Sequence, residues 1–154
     1  MSRAEVAKDL FKEGYACSQA VVLAFSDLIN IDKEELAKIS LPLGGGLGRL
    51  RLTCGAISGM AIVIGAIFAE NGVDADNKIK VYEIVQELTK RFEEKYQTII
   101  CKQLLENASL KVEIKGVPEQ RNDAYYQTRP CESIVYHAAL ILEQYLIEEN
   151  VINN

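Results

Sequence analysis

The chain has 154 residues, 22 acidic against 17 basic side chains, a net charge of −5 and four cysteines. That length suits one compact core and is short for two, and basic residues interspersed with acidic ones leave no positive stripe to track a phosphate backbone, which argues against a nucleic-acid partner. Residues 1–14 mix Arg3, Glu5, Lys8, Asp9 and Lys12 with apolar side chains and lack the unbroken apolar run of a signal peptide, so a cytoplasmic location is expected. In that reducing compartment four cysteines point to metal ligands, redox thiols or plain buried side chains in preference to permanent disulfides.

Taken in chain order, the pattern is helical. Apolar residues run from Val6 to Phe11, Gly14 interrupts, and a second helix from about Tyr15 sets Cys17, Ala20, Val21, Ala24 and Leu28 on one face. Asp32 and Glu35 have capping-box spacing, which predicts a short helix over Lys33 to Ser40 before Pro42 and the glycine cluster. The 18 residues from Leu52 to Ala69 carry no charge, near the length of a membrane span. Gly55, Gly59 and Gly65 among alanines give little hydrophobic drive but allow close helix approach, so this segment is expected as the central helix of a bundle and not as a span. From Asp76 onward Val81, Val85, Leu88 and Phe92 recur at helical spacing, with Glu87 and Arg91 as a pair on the opposite face. Thr98 is placed to cap a helix holding Cys101, Leu104 and Leu105, and Pro130 to begin a last helix with Cys131, Ile134, Val135, Ala138 and Leu142 on one side. Between them, residues 107–128 form a polar excursion with a candidate short strand where Leu110, Val112 and Ile114 alternate with charges. A segment that long is read either as a mobile surface excursion or, more sharply, as a lid over the cysteines or a pairing edge at a homodimer contact. The expected fold is therefore all-α: a single-domain helical bundle over residues 1–154, of about six helices around a Gly/Ala-rich central one.

Each cysteine falls in the first turn of a predicted helix, where unpaired N–H groups and partial positive charge favour a thiolate. Thr53 is placed to cap the helix that Cys54 opens, Gly55 keeps the backbone open beside that sulfur, and Arg49, Arg51 and Arg129 bring positive charge. A helix terminus contributes about 0.3–1 kcal/mol to an anion, less than the roughly 1.4 kcal/mol of one pKa unit, so arginines or a metal must supply the rest. The run Leu43 to Arg49 fits neither the Walker pattern nor a dinucleotide fingerprint and reads as a tight bend toward Cys54. His137, the one histidine, lies well around its helix from Cys131; Tyr125 and Tyr126 read as loop packing, and Glu132 as a solvated side chain.

Cys54-Gly55-Ala56-Ile57-Ser58-Gly59, preceded by one cysteine and followed by two, resembles the C_GCAxxG_C_C family of redox-active proteins. Its flanks agree: Gly14 to Val21, the glycines at 44–46, and Arg129-Pro130-Cys131 with Ala138-Ala139, so the resemblance spans about residues 5–147. Ala16 stands where asparagine is expected in many relatives, and the 107–128 stretch looks longer than usual. The resemblance implies redox activity and a link to transporter genes, hence a transporter-associated partner, without an assigned reaction.

The domain is also similar to part of split-Soret cytochromes, which implies an iron–sulfur centre with Cys17, Cys54, Cys101 and Cys131 as ligands; from their sequence positions beside the cysteines, Arg49, Gly55 and Arg129 are the expected cofactor-binding neighbours. No haem is implied, since Cys-x-x-Cys-His is absent, and zinc lacks both closely paired cysteines and a second ligand type. The competing chemistry is thiol–disulfide exchange, with Cys54 attacking as an exposed low-pKa thiolate and another cysteine resolving. A third reading is a helical interaction module, an accessory to a transporter, with inert buried cysteines.

Overall fold

The computed structural model describes residues 1–154. It is all-α, with eight helices in the order α1 (Arg3–Lys12), α2 (Cys17–Leu23), α3 (Lys33–Ser40), α4 (Gly55–Phe68), α5 (Ala75–Tyr96), α6 (Cys101–Asn107), α7 (Asp123–Thr128) and α8 (Cys131–Glu148). Short 3-10 turns cover Ser26–Leu28 and Leu41–Leu43. Local chemistry sets several of these ends. Ser2 accepts from the Glu5 N–H while Glu5 returns a bond to the Ser2 N–H, a reciprocal cap on α1. Asp74 accepts from the Asn77 N–H to start α5, whose last turn closes at Gln97 in a left-handed conformation. Asn77 also ties the α4–α5 turn, donating to Phe68 O at 3.0 Å and accepting from the Glu70 N–H at 2.8 Å.

A cluster of 27 buried residues forms the core. α1 packs along α8 and α2 along α4, while α5 and α8 flank α4 on other sides, so the Gly/Ala-rich helix is central as its composition predicts. The glycines of the motif explain how α4 gets so close to α2. A Cβ at Gly59 would stand 2.7 Å from Ser18 O, and one at Gly55 would stand 2.5 Å from the Cys17 sulfur. The two glycines are one helical turn apart, on the face turned to α2, and their missing side chains are the space that α2 occupies. No helix is long and apolar enough to cross a membrane.

Several local expectations need correction. Leu28 leaves the α2 face because that helix ends at Leu23. Asp32 makes no side-chain cap, although α3 spans Lys33–Ser40 as predicted. Neither Thr53 nor Thr98 caps a helix, since Cys54 and Ile100 occupy the cap positions. Thr53 instead forms an isolated antiparallel bridge with Ile100, with Cys54 N–H donating to Ile99 O and Cys101 N–H to Leu52 O. Pro130 is the cap residue before Cys131. The 107–128 stretch holds no strand; it runs as irregular chain and then turns into α7.

Candidate functional site

All four cysteines stand at helix starts: Cys17, Cys101 and Cys131 are the first residues of α2, α6 and α8, and Cys54 is the cap of α4. The bundle brings those four starts together. Cys17, Cys54, Cys101 and Cys131 line one cavity of about 350 Å3, as free thiols. Its remaining walls come from the glycine loop, from Arg49, Arg51 and Arg129, and from Glu119, Arg121 and Tyr125 of the 107–128 segment.

Each sulfur is positioned by specific neighbours. α2 is anchored through buried polar groups: the Ser18 hydroxyl donates to Ser40 O at 2.7 Å, the Gln19 amide to Ala37 O at 2.8 Å, and Gln19 accepts from the Ala16 N–H at 2.9 Å. These bonds hold the start of α2 against α3, and with it Cys17. The bridge between residues 53 and 100 joins the α4 and α6 starts, which fixes Cys54 beside the Cys101 turn. Gly46 is needed there, because a Cβ on it would meet the Cys101 Cβ at 2.7 Å. In the loop before Cys54, Gly45, Gly46, Leu47, Gly48, Arg49 and Arg51 all have positive φ. Three are not glycine, and each such residue costs roughly 1–2 kcal/mol, so the turn that carries the two arginines holds strain that the surrounding contacts must offset.

The electrostatics overturn the expectation of an exposed, acidic thiolate at Cys54. Cys54 is only 6% exposed, and burial, reinforced by Cys17 and outweighing the Ala56 N–H, pushes its pKa well above the ordinary thiol value. Burial also raises Cys17, against backbone bonds from Gly45 and Ser18, and pushes Cys131 to about 12. The arginines do lie at the site, but their charge is met elsewhere. Glu119 accepts from Arg49 at 2.6 Å, Arg129 at 2.9 Å and Arg51 at 3.4 Å. Burial opposes ionisation of that carboxyl, yet its own backbone N–H and the three guanidinium groups outweigh it and hold the pKa below the usual glutamate value. Cys101 differs from the other three in having a side-chain donor, Arg51 Nη1 at 3.7 Å from its sulfur.

The sequence reading missed Glu119 and Arg121 and assigned Tyr125 to plain packing. Arg121 donates to Phe11 O at 2.6 Å and lies over the Phe11 ring at 4.3 Å, bringing a further cation to the wall near Cys17. Tyr125 packs on Phe11 and under Arg129, and burial raises its pKa to about 12. The one sequence signal was position: charges and aromatics inside a long polar segment next to a cysteine. His137 is away from the cavity lining and hydrogen-bonds Tyr96 at 2.8 Å.

No three Cys, His, Asp or Glu side chains stand close enough to clasp a metal ion, so this is no preformed mononuclear centre. By donor chemistry, four thiols around one space suit an iron–sulfur cluster, which spreads its thiolate ligands over more than one iron. No curated protein and no solved structure matches the chain. Residues 15–145 match the family model described as "Putative redox-active protein (C_GCAxxG_C_C)". Since that match takes in all four cavity cysteines and most of the chain, the protein belongs to the C_GCAxxG_C_C family.

Proposed function

We propose that this protein handles electrons through its four cysteines acting as one unit, by reversible thiol–disulfide chemistry that enters at Cys101, in the cytoplasm. The observation that carries the reading is the convergence of Cys17, Cys54, Cys101 and Cys131 on a single cavity. Cys101 is the entry point because it is half-buried and has Arg51 as a side-chain donor to its sulfur, whereas Cys54 is buried and hard to ionise. A second cavity cysteine supplies the other sulfur. Two thiols then yield one disulfide, two protons and two electrons for an acceptor.

A second reading, an electron carrier with an iron–sulfur cluster, is favoured by the all-thiol donor set. Cys17, Cys54, Cys101 and Cys131 would hold it, and it would supply one-electron chemistry. Metal binding deprotonates its cysteine ligands, so the charge of the iron would have to offset the cost of ionising Cys17, Cys54 and Cys131 in their buried setting.

Anaerobically purified, fully reduced protein separates these. Reversible thiol chemistry predicts that mild oxidation lowers the free-thiol count from four to two and that Cys101→Ser slows this at least tenfold. Reconstitution with ferrous iron and sulfide that gives a visible absorption band with stoichiometric iron selects the cluster. Four thiols that resist both treatments and native alkylation would leave the helical interaction module, a transporter accessory, in their place.

A further inference from the structure

Arg49, Arg51 and Arg129 converge on one carboxylate, and no other acidic side chain pairs with any of them. Their side chains are 11%, 5% and 12% exposed, so three cations are held out of water around a single negative charge. Buried guanidinium groups are costly without paired acceptors, and apart from the Cys101 sulfur their other acceptors are backbone carbonyls: Arg51 donates to Glu113 O, and Arg49 to Lys115 O and Val117 O. The charge that meets them comes from a segment with little else to hold it. Residues 110–122 have no helix or strand and no fully buried side chain: Leu110 and Val112 are half-buried, and Ile114 and Val117 are 62% and 77% exposed. The strap thus rests on polar contacts, with little apolar burial. Arg51 joins this trio to the thiols, because the guanidinium that meets Glu119 also donates to Cys101.

We propose that Arg49, Arg51 and Arg129 are the binding site for the carboxylate of a small disulfide, and that Glu119 occupies that site in the ligand-free chain as a displaceable stand-in. Resting on the thiol–disulfide reading above, it adds the substrate class. A planar guanidinium fork matches a carboxylate, and Glu119 demonstrates that a carboxylate is what the trio accepts. A cavity of about 350 Å3 is at the small end of ligand pockets, which range over roughly 300–1,000 Å3, and limits the ligand to a low-mass compound. With its carboxylate on the arginines, such a disulfide presents its sulfurs to Cys101. The deprotonated Cys101 sulfur bonds to one ligand sulfur, the ligand S–S bond breaks, and the departing sulfur takes a proton. A second cavity cysteine loses its proton and attacks the Cys101 sulfur, and the remaining half leaves as a thiol. The ligand gains two electrons and two protons, and two protein thiols become one disulfide.

The test uses 3,3′-dithiodipropionate and its sulfur-free isostere suberate, which binds without reacting. Reduced Glu119→Gln protein, which lacks the internal competitor, is expected to bind suberate at least tenfold more tightly than the natural chain, and Arg129→Gln in that background is expected to abolish binding. In the unaltered chain, millimolar suberate is expected to speed tryptic cleavage at Lys111 and Lys115 as Glu119 is displaced. Folded Glu119→Gln that fails to bind suberate overturns the proposal; if that variant does not fold, unchanged cleavage of the natural chain does so. Suberate binding without reduction of dithiodipropionate keeps the anion site and removes the thiol–disulfide reading. Reduction that suberate does not inhibit has the opposite meaning.

Discussion

Replacing Gly55 with alanine tests directly how the motif glycine builds the site. The added Cβ would sit 2.5 Å from the Cys17 sulfur, 2.9 Å from Leu43 O and 3.3 Å from the Gly44 Cα. Carbon contacts are comfortable at about 3.5–4.0 Å, so the sulfur is about 1 Å too near, and two of the three obstacles are backbone that no rotamer change can clear. Overpacking of this kind costs roughly 1–3 kcal/mol. For a domain of this size each kcal/mol moves Tm by about 2–4 °C, which places the expected fall at roughly 2–12 °C. Gly65 of the same helix is the control: a Cβ there meets nothing within 4 Å, so Gly65→Ala should gain about 0.5–1 kcal/mol from helix propensity. Urea denaturation of both variants, with the alkylation rate of Cys17 followed in each, gives the comparison. A Gly55→Ala protein as stable as the natural one, with Cys17 reacting unchanged, would refute the claim that this glycine exists to admit the sulfur.

Raised thiol pKa values mean that the unfolded chain loses its cysteine protons first, so stability should be full below about pH 8.5 and fall as pH rises toward 12. From Cys131 alone the loss is about 1.4 kcal/mol at pH 10, and it should vanish in Cys131→Ser; equal pH slopes for the two proteins in urea titrations would contradict it. Glu119 has the opposite sign: its lowered pKa stabilises strap closure above the ordinary carboxylate range, and that contribution is lost as pH falls through the folded value. Hydrogen exchange at residues 110–122, corrected for intrinsic rates, should rise on acidification more than exchange in α8, and equal changes would rule out Glu119 as the clasp. Leu47, at φ 73° and 45% exposed, holds strain with few contacts, so Leu47→Gly should stabilise by about 1 kcal/mol in urea unfolding; a loss would mean that the side chain contributes more than the backbone costs.

The helices were legible wherever one face is apolar over several turns. Val81, Val85, Leu88 and Phe92 mark α5, and Glu87 and Arg91 pair at 3.1 Å as their spacing predicts. The four helix starts at the cysteines were legible too, because Gly14, the glycine run and Pro130 punctuate the chain just before three of them. What could not be read is what depends on contacts between distant segments. Thr53 looks like a cap from its neighbours alone; only Ile99 and Ile100, arriving from the end of α5, make it a bridge residue. Glu119 has no local pattern at all, and its role comes from arginines 68 and 70 residues before it and from one 10 residues after it in the chain. α7 is six residues long, too short for periodicity to reveal, and its Asn122 cap is the sole local mark of its start.

The same dependence on distant neighbours explains why the thiols are less acidic than their helix positions suggest. A helix terminus is worth about 0.3–1 kcal/mol to a thiolate, whereas raising Cys131 from 9.0 to about 12 corresponds to about 4 kcal/mol the other way. Burial and neighbouring sulfurs therefore outweigh the dipole severalfold, and the nearby guanidinium charge is turned toward Glu119. A cavity in which Cys17, Cys54 and Cys131 resist ionisation and three arginines surround one carboxylate at the wall is electrostatically incomplete: it has cationic capacity for more negative charge than it holds. Any chemistry that places anionic sulfur or an anionic ligand there, by exchange or by cluster ligation, moves the cavity toward balance. Displacement of Glu119 is the simplest way to free that capacity, which makes the strap a participant in whatever reaction the cysteines perform.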